Sequence, residues 1–297
     1  MDGTTDLARA TVLPPSVWQG RRAAHEARVD RWTAPFLARR RVGGSHPVED
    51  FLFTYYSQRP AALRRWHPGY GVALVDGADW LSLTGYVEGP DGVGVSPDLL
   101  ATRRPVLSQV HWLLAATAGR APHFGCFGMH EWAMVYRQSP DDVRHASWPL
   151  RLGTTGTDEV VEGHRVACSH FDAFRFFTEP ARGLNTLQPG REDRPAFEQP
   201  ACLHAGMDLY KHAFRLTPLV ASELVADCFA LAWDIRVLDM RASPYDFSGL
   251  AGWDHAPVRV ETAEGKAEYA AAQRTFAERG APLRARLIEE CERLLAS

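Results

Sequence analysis

The chain has 297 residues, a formal net charge of −3, and 45% hydrophobic and 23% charged residues. These values exclude a disordered chain, a collagen-like repeat and a strongly basic nucleic-acid coat protein. Of its 33 basic residues only Lys211 and Lys266 are lysines, so 31 are arginines, and amine chemistry has two candidate positions.

Pro14 and Pro15 followed by Ser16 predict a helix from Ser16 to Val42, ended by Gly43 and Gly44. Residues 1–15 are expected as a flexible tail, and residues 16–297 as a single compact, mostly helical domain with a possible division near 89–94. A short apolar helix is expected over His46–Tyr56. Tyr70–Glu88 changes to a strand-like period, and Asp76–Gly77 marks a hairpin turn within it. Gly89–Gly94 reads as loop, and Ser96–Gly119 returns to helical spacing. Gly125 and Gly128 weaken a helix over Pro122–Arg137. Short strands are expected in Pro149–Val166. Pro180–Pro200 is rich in proline, glycine and charge, which predicts a long loop. Helices are expected over Ala201–Arg215, from Pro218 to Asp239 or Met240, over Thr262–Gly280 and over Pro282–Leu295. The fold class is therefore mainly α, with one or two small antiparallel β elements.

The five cysteines, Cys126, Cys168, Cys202, Cys228 and Cys291, are odd in number and widely spaced. No disulfide framework or structural zinc site is expected from them. Free thiols, an N-terminus unlike a secretory signal and no long apolar span predict a cytoplasmic protein with no membrane partner.

His204, Asp208 and His212 recur every four residues, which places them along one helix face. A carboxylate between two imidazoles can bind a divalent metal, iron or zinc, or can tune an acid–base pair. A polar helix face with two surface histidines has the same pattern. Further ligands could come from His25, Glu26 and Asp30, or from Glu131 next to His130. No His-Glu-x-x-His motif is present. Lys211 follows on nearly the same face, and Lys266 is flanked by acids.

Phe171, Phe174 and Phe177 recur at helical spacing beside His170, Asp172 and Arg175. Asp172 and Arg175 can pair with each other. Alternatively the rings floor a pocket and the polar groups face a planar ligand, closed by Asn185, Arg191, Glu192 and Glu198 from the following loop. Tyr245 and Asp246 follow a proline turn, where Asp246 can cap the next segment. Arg39, Arg40, Arg41, Arg64 and Arg65 are the candidate phosphate contacts, although a pI near 6.5 argues against tight duplex binding.

His67–Gly71 resembles, over five residues, the Pro-Gly-x-Gly turn of helix-hairpin-helix DNA glycosylases. The strand-like segment after it does not follow that pattern, so no fold is carried over. Three longer segments carry a wider resemblance: HisPheAspAlaPheArgPhePhe at 170–177, GluGlnProAlaCysLeuHisAlaGlyMetAspLeuTyrLys at 198–211 and AspMetArgAlaSerProTyrAsp at 239–246. They resemble a group of bacterial, mainly actinobacterial, proteins labelled 3-methyladenine DNA glycosylase. The likeness runs from about the first helix to the C-terminus. That group often has an aromatic residue where His212 stands, which favours Asp208 acting without metal.

The expected function is an N-glycosidic bond hydrolase acting on a modified purine in DNA or in a nucleotide, without a cofactor. Asp208 would be the carboxylate, His204 its partner and Lys211 a candidate nucleophile. Phe171, Phe174, Tyr210 and Tyr245 would hold the base, and Asp172 and Arg175 would read its edge. The alternatives are a helical metalloenzyme using His204, Asp208 and His212, and a non-catalytic binding protein.

Overall fold

Pro14 and Pro15 have no amide hydrogen to lose, so a helix starts at them without cost. In the computed structural model, which describes residues 10–139 and 148–297, α1 runs over Pro15–Arg41. Residues 1–9 of the expected tail lie outside the described residues, and Thr11–Leu13 form a strand, β1. The described chain is mainly α, at 56% helix, with one four-stranded sheet. No described helix is long and apolar enough to cross a membrane.

The chain divides into two compact units. The first comprises Met1–Trp112, Leu209–Ala230 and Leu283–Ser297, and the second Leu113–Asp208 and Leu231–Pro282. Residues 89–94, the expected point of division, lie inside the first.

In the first unit, α1 is joined by α2 (Phe51–Tyr55), α3 (Pro60–Arg64), β2 (Val72–Leu74), β3 (Tyr86–Gly89), β4 (Gly92–Val95) and α4 (Pro97–Ala118), whose last residues belong to the second unit. The sheet order is β1-β2-β4-β3, parallel between β1 and β2 and antiparallel elsewhere. The expected hairpin is displaced. Asp76–Gly77 leads into a 3-10 turn over Ala78–Ser82, and β3 pairs with β4 instead. Gly92 explains the shift: its φ is +127°, and a Cβ there would lie 2.4 Å from the Leu74 carbonyl oxygen. Only glycine lets β4 approach β2 so closely. Aromatic rings fill the core, with Phe53 5.4 Å and Tyr210 4.8 Å from Phe229 between centroids.

The second unit carries α5 (Met129–Ala133), α6 (Gly153–Glu162), α7 (Phe171–Phe174), α8 (Glu179–Arg182) and α9 (Arg194–Phe197). It also holds the start of α10 (Leu203–Arg215), the end of α11 (Ser222–Arg241) and the first part of α12 (Ala263–Ala296). Strands expected in Pro149–Val166 are replaced by α6, whose Thr157, Val160 and Val161 are buried at helical spacing. The two final helices expected from sequence are one element, with Pro282 inside it. The expected 180–200 loop contains two single-turn helices, α8 and α9.

Candidate functional site

Gly128 starts α5 with a left-handed backbone, φ +68°, which glycine adopts without a steric penalty. A Cβ there would meet the Tyr269 ring at 3.3 Å and Ala242 at 3.5 Å. The indole nitrogen of Trp132 donates to the Ala242 carbonyl at 2.9 Å and ties α5 to the end of α11. This arrangement buries His130 and Glu131 beside Arg236 and Asp239. His204 joins them from the first turn of α10. Gln273 Nε2 supports that turn by donating to the Ala201 carbonyl at 2.7 Å.

The His130 and His204 rings meet edge to face, 4.4 Å between centroids. One ligand atom each from His130, His204 and Asp239 all lie within 4.8 Å of one another. His130 Nε2 is 2.9 Å from Asp239 Oδ1, yet the contact is misaligned for a hydrogen bond. The other Asp239 oxygen accepts from Arg236 at 3.2 Å, and the same guanidinium nitrogen donates to Glu131 at 3.1 Å.

Burial opposes charge on all these groups, and their neighbours decide the result. Burial alone would lower the His130 pKa, but the Asp239 carboxylate outweighs it and raises the value. Burial alone would raise that of Asp239, but the His130 charge, with His204 and Arg236, holds it well below the usual carboxylate range. His204 is neutral, its pKa lowered to about 3 by burial and by His130. Burial pushes Glu131 up.

A small cavity adjoins the cluster. Cys126, Met129, Val166, Cys168, Cys202 and Leu203 contribute to its wall, together with His130 and His204. Burial keeps the Cys168 thiol protonated, with a pKa pushed up to about 12.

A second buried cluster adjoins the first, with the His170 ring 5.4 Å from that of His204. Arg194 donates to Glu198, and to Asp208 at 2.9 Å. His170 Nε2 lies 3.5 Å from both carboxylates, and neither ring nitrogen of this fully buried histidine makes a hydrogen bond. Asn185 holds the segment before it: its Oδ1 accepts from the Cys168 amide at 2.7 Å and its Nδ2 donates to the Cys168 carbonyl at 2.9 Å.

The expected site residues are therefore regrouped. His204 converges with His130 and Asp239, whereas Asp208 joins His170, Glu198 and Arg194. His212, Lys211 and Tyr210 belong to the first unit, where Tyr210 packs on Phe229. His25, Glu26 and Asp30 are there too, bonded to the Leu63 carbonyl, Arg22 and Arg64 respectively. Asp172 pairs with Arg175 at 3.3 Å, and Phe174 packs on Phe177 at 5.2 Å while Phe171 is half-buried. Tyr245 is buried and bridges to Leu150, and Asp246 accepts from the Ser248 amide. Of the five candidate phosphate contacts, Arg39 is held by Glu49 and Asp50, and Arg64 by Glu26 and Asp30, whereas Arg40, Arg41 and Arg65 are exposed.

Asp239 and Arg236 were missed in the sequence. Their signal was slight, since α11 also carries Glu223, Asp227, Asp234 and Arg241; the i, i+3 spacing of Arg236 and Asp239 is what marks them as a possible pair.

No protein-family model matches the chain, and no curated protein or solved structure matches it.

Proposed function

We propose that the protein is a metal-dependent enzyme whose centre is a first-row transition-metal ion held by His130, His204 and Asp239. The observation that carries this reading is the His130–Asp239 contact, 2.9 Å between Nε2 and Oδ1 without hydrogen-bond alignment, with His204 alongside. Two ligands about 2.1 Å from a six-coordinate ion lie about 3.0 Å apart, and from a tetrahedral ion about 3.4 Å. The His130–Asp239 separation matches two adjacent positions of a six-coordinate ion. Two imidazoles and one carboxylate are the donor set that suits ferrous iron and leaves positions open.

Arg236 supports the set from outside by holding the second Asp239 oxygen, as ligand carboxylates are commonly held. A metal ion here would supply a Lewis acid and open positions for water or substrate. This reading is preferred to a metal-free hydrolase using Asp208, because Arg194 already engages that carboxylate.

Equilibrium dialysis of chelator-stripped protein against Fe(II), Mn(II) and Zn(II) tests it. One ion per chain is expected. His130→Ala, His204→Ala and Asp239→Asn should each weaken binding at least about tenfold, whereas Asp208→Asn and His212→Gln should retain it. Uptake that follows Asp208 and His212 would overturn the ligand assignment, and no stoichiometric uptake would overturn the reading.

A further inference from the structure

The wall of the cavity beside the triad limits what could bind at the metal's open positions. Two of the three ligand-bearing residues, His130 and His204, line it. The rest of the wall is mainly aliphatic and sulfur-bearing, with Cys126, Met129, Val166, Ala167, Cys168 and Cys202, and it contains no Asp, Glu, Lys or Arg. An anionic substrate would find no lysine or arginine in this wall, and a cationic one no carboxylate.

Size narrows the class further. The cavity offers about 20 Å³ to the centre of a water-sized sphere. A single water needs roughly 10–15 Å³ on that measure. The space therefore suits one molecule of two or three atoms. Aliphatic and sulfur groups make up most of the wall, and apolar cavities favour small neutral gases over water.

We infer that the open position of this centre takes a small neutral diatomic ligand of the dioxygen class, rather than an anion or a large organic substrate. The inference rests on the metal reading above, and the ligand occupies the space between the two histidines and the thiol-lined wall.

Nitric oxide is the probe, because it has the size and neutrality of dioxygen and gives ferrous sites a distinctive electron paramagnetic resonance signal. Anaerobic protein loaded with one Fe(II) per chain is titrated with nitric oxide, and separately with sodium azide as a small anion. The expected result is a stoichiometric S = 3/2 iron–nitrosyl signal, with azide weaker by at least tenfold in competition.

Ala167→Phe, which fills the cavity, should abolish the nitrosyl signal and retain the iron. Val166→Ile is the milder variant if the first fails to fold, and should weaken nitric oxide binding by a smaller factor. The inference is overturned if the iron-loaded protein gives no nitrosyl signal, or if azide competes equally. It is also overturned if only the dinitrosyl signal of iron extracted by the thiols appears. Failure to take up iron at all is a different outcome, and overturns the metal reading itself.

Discussion

His130 on α5 and Asp239 on α11 meet at 2.9 Å between Nε2 and Oδ1, 109 residues apart in sequence and misaligned for a hydrogen bond. The second Asp239 oxygen is fixed by Arg236, which also holds Glu131. One guanidinium thus orients two buried carboxylates around the pair of histidines.

Arg236→Met should be strongly destabilising. It would leave Glu131 and Asp239 buried without the guanidinium that bridges them, a loss of about 3–5 kcal/mol. Urea unfolding at neutral pH measures this, and a loss below about 1 kcal/mol would show that the bridge contributes little.

Gly128→Ala should cost about 1–2 kcal/mol, because an alanine at φ +68° is strained and its Cβ presses on Tyr269. The variant should also weaken metal uptake by displacing His130. Normal stability and normal uptake together would contradict the role given to this turn.

Asn185→Ala should lose about 2–3 kcal/mol, since it strips the buried Cys168 amide and carbonyl of their side-chain partner. Amide hydrogen exchange would show the effect concentrated at Cys168–His170. A uniform change across the chain would contradict the local account.

His67 contributes to the pH dependence of stability in the first unit, beside His25 and His46, whose pKa values burial also lowers. His67 is half-buried, the main reason its pKa falls from 6.5 to about 4, and its Nδ1 contacts the Tyr86 hydroxyl at 2.8 Å. The folded value lies below the unfolded one, so this stability is complete above about pH 6.5. It is lost as pH falls toward 4, where the unfolded chain binds the proton and the fold refuses it. Between pH 7 and 4.5 the loss is about 2–3 kcal/mol. Urea titrations at both pH values should show a smaller loss in His67→Gln, and equal losses would rule this contribution out.

Much of the helical framework was legible because capping and apolar spacing are local. α1, α4 and α10 follow such signals closely, from Pro14–Pro15 at the first to the Ala201–Arg215 pattern at the third. The β3–β4 pairing was not legible, since it depends on the close approach of Gly92 to Leu74 across the sheet. The site shows the same division. His204 and Asp208 stood out by helical spacing, His170 as a polar residue in an aromatic segment, and Glu198 on the charged loop that follows it. Their grouping did not, because helical spacing relates His204 to Asp208 and His212 but says nothing of α5 or the end of α11.

Anomalous diffraction from crystals of the metal-loaded protein, recorded on either side of the metal's absorption edge, tests the central claim most directly. The account predicts one peak per chain, within about 2.3 Å of His130 Nε2, a His204 ring nitrogen and an Asp239 oxygen. A crystal with no peak there and a well-aligned His130–Asp239 hydrogen bond, or with the peak at Asp208 and His212, would contradict it.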